Sequence, residues 1–200
     1  MAIEAAFALL SDRLRLLKEA VDELQMNVSG GYQPENSSGQ LPNVDLESEQ
    51  APPPVVWLSD KASELEGAVG EAQHATAGAA RAVRHPRNLV EAQVALIAIQ
   101  GCLNGAMKTY FDEVAAHDTV QTLIRMGRRE GGKWPEWVAL VKTVIESCRA
   151  PLHQSAQALS ECWQELAEKL AANSISVTAT NIGHQFTTRE NQTSTVHKLT

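Results

Sequence analysis

Apolar residues recur along much of this chain in alternating steps of four and three. Ile3, Phe7, Leu10, Leu14, Leu17, Val21 and Leu24 mark one face of a helix over 2–26, an a/d seam of about three heptads. The opposite face carries Asp12, Arg15, Glu19 and Asp22. The pattern stops at 27–54, where "SGGYQPENSSGQLPNVDLESEQAPPP" is rich in Gly, Pro, Ser and acids. That composition predicts a flexible linker or long loop, with a partner-docking segment as the alternative.

The second stripe is Leu58, Ala62, Leu65, Val69, Ala72, Thr76, Ala79 and Val83, with Ser59-Asp60 placed to cap the helix. Its residues are small, and Gly67, Gly70 and Gly78 stand beside it. Small residues permit close approach of another helix, either the bulky third helix or a second copy. His85-Pro86 ends this helix. Asn88 with Glu91 has the form of a capping box, so a third helix starts there, with Ala92, Leu96, Ile99, Leu103, Ala106, Tyr110 and Val114 as its stripe. Asp118 with Gln121 resembles another capping box, which predicts a kink or restart at His117-Asp118 and continuation to Arg129 before Gly131-Gly132. Pro135 and Glu136 suit the first turn of a fourth helix. Its stripe is Trp137, Val141, Val144, Cys148, Leu152, Ala156, Leu159, Trp163, Leu166 and Leu170. Pro151 inside it predicts a kink, because proline removes a ladder bond and crowds the carbonyl of Ser147.

Four heptad-bearing segments predict an all-α, antiparallel four-helix bundle. The expected organisation is helix 1 over 1–26 (the shortest, with its place in the bundle open), a linker over 27–54, helices 2 to 4 within 55–172, and an extended tail over 173–200. Only 4% of the residues are aromatic, and much of the apolar content is Ala, which suits closely packed helices better than a sheet sandwich.

The net charge of −7 argues against nucleic acid as a main partner, since phosphate binding needs positive charge. Three cysteines, Cys102, Cys148 and Cys162, are neither a disulfide framework nor a metal-ligand pattern. The N-terminus lacks a basic leader, so a cytoplasmic protein is expected. The apolar run Val94–Ile99 is too short to span a bilayer.

Chemistry-bearing motifs are sparse. "EAQH", Glu71 to His74, has the Glu-x-x-His spacing that brings a carboxylate and an imidazole to one helix face, but bundle metal sites use two such motifs with further acids. Glu113 and His117 are four apart and form another candidate pair. A solvated polar face is the plainer reading of both, so no metal or other cofactor is expected. Arg81, Arg84, His85 and Arg87 cluster at the end of helix 2, and Arg125, Arg128, Arg129 and Lys133 at the end of helix 3. Cations are stabilised at helix C-termini. An anionic lipid or phosphate patch at one bundle end is the functional alternative. No nucleophile elbow, phosphate loop or His-Glu-x-x-His occurs, and an enzyme is not expected.

The tail differs from everything before it. Ile175, Val177 and Ala179 alternate with Ser176, Thr178 and Thr180, as in a half-exposed strand. Asn181, Ile182, Gly183, His184, Gln185 and Phe186 follow, then a polar end. A lone strand needs a partner outside its own bundle: another protein's sheet edge or stacked copies of itself. Ile175, Val177, Ile182, Gly183, Gln185 and Phe186 are the expected partner-binding residues. In layout, a helical bundle followed by "TNIGHQFTT" resembles fungal and bacterial cell-death effectors, in which a membrane-active helical domain carries a C-terminal amyloid-type signalling motif. Helix 1, with mixed charges, lacks the Lys/Arg-rich face of a membrane-surface helix. The leading expectation is therefore a non-enzymatic interaction or assembly module that engages another protein or another copy. A membrane-perturbing effector controlled by its tail and a metal-binding bundle are the alternatives.

Overall fold

The computed structural model of the protein describes residues 3–31, 53–115, 121, 125 and 134–172. The four stripes are all buried along their full length, and together they form one continuous core. Its largest fully enclosed side chains are Tyr110, Phe7 and Phe111, surrounded by leucines.

Helix α1, Ile3–Gly31, runs past the end expected at 26. The spacing continues to Val28, which is buried, and the indole N–H of Trp137 donates to the carbonyl of Asn27 at 3.0 Å. It is therefore not a short helix. Helix α2, Pro53–Ala82, starts before the expected Ser59-Asp60. Val55 extends its buried stripe upstream of Leu58. Prolines cost nothing in a first turn, where backbone N–H groups have no helical partner. Ser59 lies inside the helix, with its hydroxyl 3.1 Å from that of Ser29 on α1. Both corrections shorten the segment between the two helices, of which 32–52 lies outside the described residues.

A single 3-10 turn, Pro86–Asn88, leads into α3, Leu89–Lys108. The capping box read at Asn88 and Glu91 does not form: Asn88 makes no side-chain cap bond. Its own N–H is turned back to the carbonyl of His85 at 2.9 Å, and its ψ of 9° is far from the extended backbone that aims a capping side chain. At its far end α3 widens into a π-turn, Thr109–Val114, closed by the N–H of Ala115 on the carbonyl of Tyr110 at 2.7 Å. A wider turn lets two consecutive residues point inward. Tyr110 and Phe111 are both buried, edge to face at 4.9 Å, and the Tyr110 hydroxyl donates to the carbonyl of Ile145 at 2.9 Å. Of the stretch expected to restart at His117-Asp118, only Gln121 and Arg125 are described, both helical.

The fourth stripe is carried by two helices, α4, Trp134–Ser147, and α5, Arg149–Ala172. Pro151 sits in the first turn of α5, so the kink it forces takes the form of a break just upstream. The N–H of Cys148 reaches only to Ile145, at 3.2 Å, and regular pairing resumes with Leu152 on Cys148 at 3.1 Å.

Cross-helix bonds fix the topology. As numbers rise along α1 they fall along α2: Leu14 meets Gln73, Lys18 meets Glu66, Gln25 meets Ser63, and Ser29 meets Ser59. The same inversion relates α1 to the fourth segment, where Glu4 meets Lys169, Arg13 meets Gln154, and Ala20 meets Cys148. It also relates α2 to α3, where Lys61 meets Glu113 and Glu71 meets Cys102. The fold is an antiparallel all-α bundle in which α1 lies between α2 and α5, and α3 lies on the opposite side of the ring, also between α2 and α5.

Candidate functional site

The tail residues expected to bind a partner, Ile175, Val177, Ile182, Gly183, Gln185 and Phe186, lie outside the described residues. Their point of departure is described. One turn before the end of α5, Lys169 pairs with Glu4 at 3.3 Å and donates to the carbonyl of Val83 at 3.1 Å. A backbone N–H and this lysine hold the Glu4 carboxyl below its ordinary range. Helix α5 thus ends at the end of the bundle where α1 begins and α2 turns into α3. The exposed Arg84, His85 and Arg87 stand at that same end.

Glu71 and His74 are both solvent-exposed, and the Glu71 carboxylate accepts from the Cys102 thiol across the α2–α3 seam, with sulfur and oxygen 3.6 Å apart. Desolvation, reinforced by that carboxylate, raises the Cys102 thiol. Glu113 is engaged by Lys61 at 2.9 Å; its expected companion His117 lies outside the described residues. Among the described residues, no three His, Cys, Asp or Glu side chains converge as a metal site would require.

The small-residue stripe of α2 is buried against α3, as expected, and against α1, but Gly67, Gly70 and Gly78 beside it seat no neighbour. A Cβ on any of them would meet open space.

Among the polar groups buried in the core, the Ser155 hydroxyl and the Trp163 indole N–H have no hydrogen-bond partner among the described residues. Thr76 donates to the carbonyl of Ala72 one turn back. Burial pushes the thiols of Cys148 and Cys162 up to about 12, so both are protonated and unreactive at neutral pH. Nothing in this set pairs a nucleophile with a base.

One surface stands apart, and the heptad reading of the inner stripes passed over it. The outward face of α3 presents Val90, Val94 and Ile97, which are 52%, 62% and 54% exposed. They lie at steps of four and three, so they form one stripe. Gly101 and Gly105 continue it, and a Cβ at either would meet open space. No charged residue occurs from Ala92 to Met107. The helical run Leu89–Val114 is long and apolar enough to cross a membrane by length and mean hydropathy (1.3), which the short run Val94–Ile99 alone did not suggest. Its inner half is buried in the bundle core. A helix that is apolar all round is ordinarily enclosed on every side, and this one is enclosed on one side only. The sequence signal was present in the missing charges, not in the heptads. Comparison of the chain with known protein families, curated proteins and solved structures finds no match to any of them.

Proposed function

We propose that this protein is a non-enzymatic interaction or assembly module: a rigid helical bundle that presents a binding surface and a C-terminal tail to another protein or another copy. The observation that carries the reading is the uncharged outward face of α3, with Val90, Val94 and Ile97 in solvent. Scattered exposed apolar residues are ordinary on a soluble protein, but a contiguous apolar stripe marks an interaction site. Helix α5 ends at the end of the bundle where α3 begins, so the tail sequence starts from the same end as the stripe. Three unpaired thiols fit a reducing compartment, in keeping with a cytoplasmic protein. Light scattering coupled to size exclusion, on the full chain and on a chain ending at Ala172, tests the reading. Assembly of the full chain alone assigns the contact to the tail, and assembly of both assigns it to the bundle. Monomers throughout, with no stoichiometric partner recovered by the full chain, would remove the reading.

A second reading, a membrane-perturbing effector, is favoured by one observation: the length and hydropathy of Leu89–Val114. It requires α3 to leave the bundle and expose its buried half. Leakage of dye-filled vesicles with and without residues 174–200 tests it. Absence of leakage from both forms excludes it.

A further inference from the structure

We infer that the outward face of α3 pairs antiparallel with the same face of a second copy, about a two-fold axis at the level between Ile99 and Gln100. This rests on the assembly reading above and names its partner. The inference comes from how the stripe complements itself. An axis at that level sets Val94 of one copy opposite Gly105 of the other, and Ala98 opposite Gly101. Val94 and Ala98 of each copy therefore meet glycines of the other, where the open space above Gly105 and Gly101 receives them and the helix axes can approach to the lower end of the usual ~8–10 Å range.

Charge follows the same axis. It brings Glu91 opposite Lys108 of the second copy and Arg87 opposite Asp112, each pair occurring twice by symmetry. These four residues are exposed, and none has an ion-pair partner in its own chain among the described residues. The charges that bound the stripe thus have opposite sign at its two ends, basic then acidic from Arg87 to Glu91 and basic then acidic from Lys108 to Asp112, in the order an antiparallel copy matches. A parallel copy would set like against like. The unlike helix termini are also brought together. From Arg87 to Asp112 the strip is ~38 Å long and one helix, ~10 Å, wide. That is below the ~800 Å² per partner of a standard stable interface, so the dimer is reversible, with a dissociation constant in the micromolar range.

Sedimentation velocity of the full chain from about 1 to 500 µM brackets that range. A reversible monomer–dimer equilibrium is expected. Glu91→Lys alone and Lys108→Glu alone each set like charges opposite one another at both ends of the contact, and each is expected to weaken self-association about tenfold or more. Mixed together, the two variants present opposite charges to each other, and association should return at least to the wild-type level. Val94→Asp is expected to weaken the dimer about a hundredfold, while the helical circular dichroism of the monomer is unchanged. A chain that stays monomeric across the range overturns the inference. So does a dimer that the charge variants leave intact or that mixing fails to restore; in that case assembly stands, through another surface. A monomer that instead co-sediments with phosphatidylcholine/phosphatidylserine vesicles, and loses this in Val94→Asp, assigns the stripe to a bilayer and overturns self-pairing.

Discussion

Helices α1 and α3 occupy opposite positions in the ring and are alike on the inside, where both turn an unbroken apolar stripe to the core. They are unlike on the outside. On α1, Arg15 bridges Asp12 at 2.8 Å and Glu19 at 2.6 Å, and Lys18 joins Asp22 on its own helix to Glu66 on α2. Such i, i+3 and i, i+4 pairs belong to a solvated helix face. On α3 the corresponding face has Val90, Val94, Ile97 and two glycines. The difference separates two roles that a helix serves at once. The inner face specifies the fold, and both helices perform that task equally. The outer faces differ: that of α1 carries ion pairs, and that of α3 an uncharged stripe.

Substituting the same residue inside and outside breaks this comparison most sharply. Leu159→Asp puts an unpaired carboxylate at a fully enclosed position, at a cost of about 4 kcal/mol or more, a large share of the ~5–15 kcal/mol available to a domain of this kind. It should abolish cooperative unfolding, and the same replacement at Val94 should shift the monomer's urea midpoint by no more than ~0.5 kcal/mol equivalent. If Leu159→Asp melts as wild type does, the register of α5 is wrong.

Alkaline pH probes the inner faces next. The thiols of Cys148 and Cys162 are pushed up to about 12 by burial, from an ordinary value near 9. Their native-state values lie above their unfolded values, so the folded chain holds protons that the unfolded chain releases above pH 9. Stability from this source is complete below pH 9 and is lost as pH rises towards 12. A drop of about 2 kcal/mol from each thiol, about 4 kcal/mol from the two, is expected in urea unfolding between pH 8 and 10.5, since each tenfold difference in proton affinity between the folded and unfolded chain is worth about 1.4 kcal/mol. An unchanged midpoint would mean that water reaches them.

The smallest effect belongs to the outer face of α1. Arg15 is more than half exposed, and ion pairs of that kind are screened by solvent and contribute little. Arg15→Ala should therefore move the thermal midpoint by barely a degree or two, and less in high salt. A larger loss would show that the charged face of α1 does more than solvate it.

The stripes were legible in the sequence because a heptad repeat is a statement about burial, and burial is what the bundle enforces: from Ile3 to Leu170, the positions at steps of three and four are the enclosed ones. Helix ends were less legible. Ser59-Asp60 and Asn88 offered capping side chains, but Pro53 and the turn at Pro86 supplied the same service by backbone means, and the apolar spacing at Val28 and Val55 outweighed the polar signals beside it. The break of the fourth segment was foreseen from Pro151, and its position at Cys148 follows from where the missing N–H falls. The outward stripe of α3 escaped a heptad reading because valine, alanine and glycine on the outside do not contradict a helix. They are visible only as an absence of charge. The partner-binding role given to Ile175–Phe186 was read from strand-like alternation alone, and strand pairing needs a second strand, which the helical stripes do not supply.

The π-turn at Thr109–Val114 has a consequence for how this chain can tolerate changes in length. A π-turn is an α-helix with one residue added, and each residue turns a helix by ~100°. Removing one residue there would restore ordinary α geometry and rotate all that follows by that angle. Either Tyr110 or Phe111 would then swing out of the core, and Glu113 would lose its alignment with Lys61. Insertions and deletions accumulated over time are therefore expected to spare 109–114, where chain length is held to the single residue.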